Sequence, residues 1–537
     1  MSGGGSGHEP SFAAFVGRGL LSGAVAGTIF ASPSAEQIRR CILERVETSQ
    51  GVLVVVMNYT GDVLNFGMAV EKAKAAGMQV EMVVTADDAG VGRAQGGKVG
   101  RRGIAGTVLT QKIAGALAAT GASLKDVHKV ATLVAENTVS IGSSLSHVHV
   151  PGREVGGSDE LSQDEVEIGM GIHNEPGSEK TTADLPGIVK TMLKYMLDQS
   201  DKDRAFMSAS ESDKFVLLVN NLGGVSVLEM GGITTEVLSQ LESGHGIKPV
   251  RILAGTYMTS LNGLGFSISL LKLQETGVSK PMLELLDAPA EASGWSAAIS
   301  ADTWAKPPTQ AREGGAGSGR KPQPSGLEID PELAVKALEH ALNKVIKAEP
   351  DITKYDTAVG DGDCGIGLKR GAEGIIKALH TDEIRKQKDA ALFLDQIVEV
   401  VENTMDGTSG ALYAIFLNAL AHGLRSQGGE SGAKQASPKV WAKALSIAMQ
   451  SMGTYTPAQV GDRTLVDALV PFIEQLGASG DVQKAAVAAD QGSKNTKGMK
   501  ASLGRTVYVG GSGYEEVPDP GAHGLAEFFT GLAEGLK

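Results

Sequence analysis

Across residues 1–305, short β-branched runs alternate with stretches at helical spacing. Gly51 is followed by Val52-Leu53-Val54-Val55-Val56, whose length and branching predict a buried strand. The polar turn Asn58-Tyr59-Thr60-Gly61-Asp62 comes next. Residues from Phe66 to Ala76 are helix-compatible and stop at Gly77. Val80-Glu81-Met82-Val83-Val84 predicts a second strand. Strand, helix and strand in this order form a βαβ unit with a parallel pair and a right-handed crossover. Phe215-Val216-Leu217-Leu218-Val219, followed by Asn220-Asn221-Leu222-Gly223-Gly224, repeats the strand-then-polar-turn pattern. Ligands in such sheets bind past the carboxyl ends of the strands, which is where these polar turns should sit.

Residues 327–537 follow another period. Asp330 is a good N-cap with Pro331 at the first helical position. Leu333, Leu338, Ala341, Leu342 and Val345 then mark one apolar stripe. Segments rich in Ala, Leu, Lys and Glu continue to the C-terminus, broken by Gly- and Asp-rich loops, and predict an all-α domain. Between the regions, residues 306–326 read KPPTQAREGGAGSGRKPQPSG, in which nine of 21 positions are Gly or Pro and none is a large hydrophobe. This composition predicts a flexible or extended linker.

Composition narrows the class. The 537 residues suit three to four domains at ~150 residues each. They include 71 glycines, nearly twice the ~7% usual share. No G-X-Y period runs through them, so collagen is excluded. A hydrophobic content of 42% excludes wholesale disorder. The net charge of −13 argues against a general nucleic-acid binder. Two cysteines, Cys41 and Cys364, cannot build a disulfide framework, and a reducing, cytoplasmic setting fits them. No run of ~18 apolar residues predicts a membrane span, and no signal peptide is visible.

The densest glycine cluster is Gly3-Gly4-Gly5-Ser6-Gly7-His8-Glu9-Pro10. It reads as a loop whose bare backbone lets a small ligand approach. A frayed terminus has the same composition, but the histidine inside points to function. Asp62 lies in the turn after a strand, where a general base belongs, although an Asx-turn or N-cap would also place an aspartate there. His173 sits in Gly169-Met170-Gly171-Ile172-His173-Asn174-Glu175-Pro176-Gly177, and neutral imidazole is a competent nucleophile toward a carbonyl carbon. His147 and His149 would share a face on a strand, but no Cys or further His stands at ligand spacing, so a structural role is the reading. Asp356, Asp361 and Asp363 place three carboxylates within eight residues, with glycines between. Such hard oxygen donors suit Mg²⁺ with a substrate phosphate. The glutamate that closes a calcium-binding EF-hand loop is missing. Gly407-Thr408-Ser409-Gly410 precedes an apolar helix, a pattern that favours phosphate. Gly461-Asp462-Arg463-Thr464 and Asp519-Pro520-Gly521 are further polar loops. Neither a Walker A motif nor a protein-kinase signature occurs, so a nucleotide site here uses carboxylate-held metal instead of a P-loop lysine.

GGGSGHEP, NYTGD-x-LNF, GIHNEPG, VNNLGG, GDGDCG, GTSGALY, GDRT and DPGA occur in this order. In these motifs the chain resembles, over nearly its whole length, the ATP-dependent dihydroxyacetone kinase family, in its single-chain triokinase/FMN cyclase type. The resemblance implies a two-lobed α/β substrate domain over 1–305 and an antiparallel helical barrel over 327–537 that holds ATP at one end. It implies that His173 bonds covalently to the substrate carbonyl, with His8 and Asp62 as the acid/base pair. Gly5, Ser6 and Gly7, with His8 and Asp62, would surround the substrate. Asp356, Asp361 and Asp363 would hold two Mg²⁺ ions on ATP. Cys364, Gly365, Ile366, Gly367, Thr408, Ser409, Thr464, Leu465, Asp519, Pro520 and Gly521 would line the nucleotide. The implied substrates are dihydroxyacetone and D-glyceraldehyde. The same nucleotide site would split FAD into AMP and cyclic FMN, with Mn²⁺ or Co²⁺. A cytoplasmic homodimer without nucleic-acid or membrane partners completes the expectation, and closure across the linker, within or between chains, would bring the halves together.

Four departures stand out. The family carries about fifty residues ahead of the glycine loop, so the loop is expected to lack its delivering strand and a neighbouring strand its partner. Met57 replaces a lysine that usually contacts substrate. Asp406 and Thr456 replace glycines usual near the nucleotide. The short start and Met57 raise a truncated, non-catalytic regulatory form as the alternative, while Asp406 and Thr456 bear on ATP affinity.

Overall fold

The computed structural model describes residues 1–152, 161–210, 212–296, 299, 303, 322–358, 360–431, 435–503 and 514–537. The chain divides into two compact units, Met1–Ala311 and Arg312–Lys537. Residues 306–321 of the expected linker lie outside the described residues.

The first unit opens with a four-stranded sheet of β1 (Ser2–Ser6), β2 (Ala24–Ile29), β3 (Val52–Met57) and β4 (Val80–Thr85). The order is β2-β1-β3-β4 and every pair is parallel. The expected βαβ unit is therefore present. Its helix begins earlier than the pattern suggests: α1 (Ala35–Glu44) precedes it, and α2 (Thr60–Ala75) already contains Asp62 in its first turn. Alternation along β3 sends Val52, Val54 and Val56 toward α1 and α2. Leu53 and Met57 face the layer of α3 (Thr107–Ala119) and α4 (Leu124–Glu136). Burial on both faces is why the run reads as continuously apolar.

The glycine cluster is corrected. Residues 2–6 are not a loop but an interior strand, paired with β2 on one side and β3 on the other. The expected missing anchor and unpaired neighbour are not found. Low strand propensity is overridden by close approach: a Cβ on Gly3 would fall on Val25 O and within 3.0 Å of Phe66 Cζ.

The second sheet holds β5 (Thr138–Ser144), β6 (Val166–Ile168), β7 (Glu179–Thr181), β8 (Phe215–Asn221), β9 (Arg251–Gly255) and β10 (Gly265–Lys272). Its order is β7-β6-β5-β10-β8-β9, and only β8 and β9 run parallel. α5 (Leu185–Leu197) and α6 (Val227–His245) bury one face. On the other, Val216, Leu218 and Leu271 join the α3–α4 core, which also receives α7 (Met282–Asp287). Asn220 and Asn221, expected in a turn, are the last residues of β8. His147 lies outside any strand and meets Glu167 at 2.8 Å, in keeping with a structural role.

Among the described residues of the second unit, eight long helices form a closed ring. They are α8 (Pro331–Thr357), α9 (Asp363–Leu379), α10 (Ala390–Thr404), α11 (Gly407–Ser431), α12 (Pro438–Met452), α13 (Val466–Ser479), α14 (Val482–Asn495) and α15 (Pro520–Gly535). Each packs on the next, and α15 closes on α8. Closure depends on small residues: a Cβ on Gly531 or Gly535 would come within 2.6 Å of the Cα of Ala341 or Ala337. Asp330 caps α8 by accepting from Glu332 N at 3.0 Å, as its sequence position predicts. In an up-and-down ring every second connection returns to the same end. The loops before α9, α11, α13 and α15 therefore share one end, and each carries candidate nucleotide residues. Among the described residues, no helix is long and apolar enough to cross a membrane.

Candidate active site

In the first unit the structure brings together three candidates that are far apart in sequence. His8 follows β1 and is fully buried. Its Nδ1 lies 2.7 Å from Thr259 O, and its Nε2 lies 3.0 Å from His173 Nε2. His173 Nδ1 lies 2.8 Å from Glu175 Oε1, and its backbone N–H donates to Glu175 Oε2 at 2.9 Å. A carbonyl and a carboxylate only accept hydrogen bonds. Both Nδ1 atoms therefore carry hydrogen, and both Nε2 lone pairs face each other. Their 3.0 Å contact requires one proton shared between the rings. A second is resisted: burial first, then the charge on His173, lowers the His8 pKa to about 4. Glu175 is held at about 2, where desolvation opposes ionisation but the hydrogen bonds and charge of His173 outweigh it.

Asp62, 4% exposed, lies beside Gly4, where a Cβ would stand 3.8 Å from its Oδ2. Burial raises its carboxyl pKa, while a Ser32 hydrogen bond and the charge of His173 pull it down. Asp62 Oδ1 and the Tyr59 hydroxyl are buried with no hydrogen-bond partner. The Tyr59 ring meets His173 edge-on at 4.8 Å, and Phe30 stacks on His8 at 5.2 Å. Two polar atoms left unpaired beside two imidazoles form a cradle for a small hydroxylated molecule, since burying them without a partner costs about 1–3 kcal/mol each.

The glycine-rich residues contribute shape more than donors. Gly7 N–H is taken by Glu9 at 3.0 Å, and Ser6 Oγ donates to Gly27 O at 2.7 Å. Gly5 and Gly7 instead let Phe30 approach the backbone, Gly7 with φ of +106°. Met57 is buried under this floor, its Cε 3.8 Å from where a Gly4 Cβ would lie. The reading of single motifs missed Glu175, although it stands two residues after His173. It also missed Thr259, which no local pattern marks. Asn220 holds that segment: its Oδ1 accepts from Tyr257 N and Met258 N, both at 2.9 Å, and its Nδ2 donates to Met258 O at 2.7 Å.

In the second unit, ligand oxygens of Asp356, Asp361 and Asp363 lie within 4.8 Å of one another. Asp356 Oδ2 also accepts from Cys364 N at 3.0 Å, fixing the aspartates to the start of α9. Three converging carboxylates repel unless a cation joins them, and the all-oxygen donor set suits Mg²⁺. Cys364 Sγ lies 3.9 Å from Ser409 Oγ, which joins α9 to the first turn of α11. A Cβ on Gly521 would stand 3.4 Å from Leu465 Cβ, which joins the starts of α15 and α13. Asp519 caps α15 at 2.8 Å from Ala522 N. Burial raises its pKa to about 6, opposed by that cap and Arg463, and the nearby Asp356 adds to the rise. Asp467 closes the turn before α13, accepting from Gly461 N at 2.6 Å and Thr464 N at 2.8 Å. Four helix N-termini, each with partial positive charge, thus share one end with three carboxylates placed to hold a metal ion. Thr408, Ile366 and Gly367 are at its surface, while Gly365 and Pro520 are packed beneath. Asp406 reaches Arg370 at 2.5 Å, and Thr456 Oγ1 accepts from Ala458 N at 3.3 Å.

Comparison with known proteins agrees with both halves. Residues 1–294 match the Dak1 domain and residues 358–534 the DAK2 domain. The chain is 43% identical to a dihydroxyacetone kinase of Pichia angusta, over 99% of this chain and 91% of that one. It is 36% identical to a triokinase/FMN cyclase of Homo sapiens, over 100% of this chain and 91% of that one. Its fold is similar to the crystal structure of the dihydroxyacetone kinase from C. freundii in complex with AMP-PNP and Mg²⁺. That likeness has a TM-score of 0.58 and 33% identity, over 99% of this chain and 90% of that one.

Proposed function

We propose, because this chain belongs to the dihydroxyacetone kinase family, that it transfers the γ-phosphoryl group of ATP to dihydroxyacetone and D-glyceraldehyde. The observation that carries the mechanism is the apposition of the two Nε2 atoms with both Nδ1 atoms fixed. A carbonyl entering between the rings meets the His173 Nε2 lone pair. The N–C bond forms, the carbonyl π pair moves to oxygen, and His8 Nε2–H protonates that oxygen. The single positive charge passes from the His8 ring to the substituted His173 ring, which faces Glu175. The tether removes translational freedom and selects carbonyl sugars over glycerol. Asp62, with its free Oδ1 and raised pKa, accepts the proton of the attacking hydroxyl.

Asp356, Asp361 and Asp363 would hold two Mg²⁺ on ATP. When bound, the ions supply neutralisation of phosphate charge, the main requirement of phosphoryl transfer. Thr408, Ser409, Thr464, Leu465, Cys364 to Gly367 and Asp519 to Gly521 would line the nucleotide. In this assignment residues 1–305 bind the sugar and 327–537 the nucleotide, joined through 306–326, and the protein works as a cytoplasmic homodimer. A coupled ADP-release assay with dihydroxyacetone tests it. Turnover should vanish in His173→Ala and in Asp361→Ala; unchanged turnover in the first sinks the tether, and in the second the metal site. A second reading, FAD-AMP lyase activity with Mn²⁺ or Co²⁺, is supported by the similarity to triokinase/FMN cyclases. It should survive His173→Ala, because no carbonyl is attacked.

A further inference from the structure

We propose that Glu175 is a positioning residue that sets the tautomer of His173. The inference rests on the tether assigned to His173 above. Both carboxylate oxygens of Glu175 are used as acceptors, Oε1 from the Nδ1–H of His173 and Oε2 from its backbone N–H. With Nδ1 so protonated, the neutral ring keeps its lone pair on Nε2, the atom that faces His8. The rest of the local structure is built around this carboxylate. Gly171 leaves it room: a Cβ there would fall on Glu175 Oε2 and within 2.6 Å of Arg102 Nη1. Arg102 is itself fixed, its Nε donating to Asp88 Oδ2 at 2.8 Å and its Nη2 to Gly169 O at 2.6 Å. Its charge acts most on Asp88, then on Tyr59 and Glu175. After addition to a carbonyl, the His173 ring is cationic with hydrogen still on Nδ1, so the same carboxylate stabilises the adduct.

Glutamine separates this role from a packing role. An amide offers one oxygen where the carboxylate offers two. The backbone N–H of His173 can only donate, so it claims the oxygen. The amide NH₂ is then turned toward Nδ1, which must accept, and the hydrogen moves to Nε2. The nucleophilic lone pair is lost with almost no change in shape. An Asp–His pair broken in this way in a serine protease loses about 10⁴-fold in rate through the wrong tautomer.

The test uses the full chain as wild type, Glu175→Gln, Glu175→Asp and His173→Ala. Intact mass after incubation with dihydroxyacetone reads the adduct, and ¹⁵N shifts of the His173 ring at alkaline pH read the tautomer. The expected result is hydrogen on Nδ1 in wild type and on Nε2 in Glu175→Gln. Adduct and turnover should fall by about 10²- to 10⁴-fold in Glu175→Gln and recover in part in Glu175→Asp. Adduct within about twofold of wild type in Glu175→Gln, with none in His173→Ala, overturns the proposal. So does loss of adduct with the tautomer unchanged. Adduct persisting in His173→Ala overturns the tether instead. If Glu175→Gln does not fold, the wild-type ring decides, and hydrogen on Nε2 there refutes the assignment.

Discussion

Asn220→Ala should loosen the segment that holds His8 while leaving the sheet paired. The side chain accepts from two buried N–H groups, those of Tyr257 and Met258, and donates to Met258 O. Alanine leaves all three groups without that partner among residues that are 0–2% exposed. An unsatisfied buried group costs about 1–3 kcal/mol. The segment can recover part of this by opening to water, so the net loss of local stability is placed at about 2–3 kcal/mol. At 1.4 kcal/mol per factor of ten, opening becomes about 30- to 150-fold more frequent. Hydrogen exchange with mass spectrometry on peptides spanning 257–263 measures this directly. Turnover should fall with it, because Thr259 O is the fixed acceptor of His8 Nδ1. Exchange within about twofold of wild type would refute the assignment of Asn220 as the anchor.

Gly3→Ala should destabilise the first unit by about 1–3 kcal/mol or more, read as a lower denaturation midpoint, because backbone at Val25 cannot move aside without parting β1 from β2. An unchanged midpoint would contradict the interior placement of β1. His8 predicts a pH effect of definite sign. Beyond the proton the pair already shares, a further one is taken up by His8 only near pH 4 in the folded chain, below the ordinary 6.5, so the unfolded chain binds that proton first as pH falls. This contribution to stability is full above about pH 6.5 and is lost toward pH 4, by up to about 3 kcal/mol at 1.36 kcal/mol per unit. Denaturation of His8→Gln and wild type across this window should diverge by the slope of one proton; parallel curves would refute it.

Several parts of the molecule were legible in its order of residues. β3, α2, β4 and β8 follow from apolar period, and the start of α8 from Asp330-Pro331. The three aspartates are legible because they fall within eight residues with glycines between them, a spacing that the turn between two helices can close. The histidine roles came through motifs shared with a known family, and neither His8 nor His173 had a local signal strong enough to pair them. β1 was misread because propensity scores a residue by its own side chain, whereas here what decides is the neighbour that the missing side chain admits. Asn220 was misread for the same reason. Polar residues after a strand usually mark a turn, but this one continues the strand and satisfies a distant segment.

Taken alone, then, the order of apolar and polar residues indicated the two kinds of architecture, α/β and all-α. Period and capping act over a few residues, so the chain carries them openly. The tertiary structure decided the rest. It closed eight helices into a ring that brings four helix N-termini to one end. It set His8 against His173 across 165 residues, with Thr259 and Glu175 behind them. Those contacts depend on which backbone can approach which, and on which buried donor finds an acceptor. Both are properties of packed neighbours that no local pattern encodes.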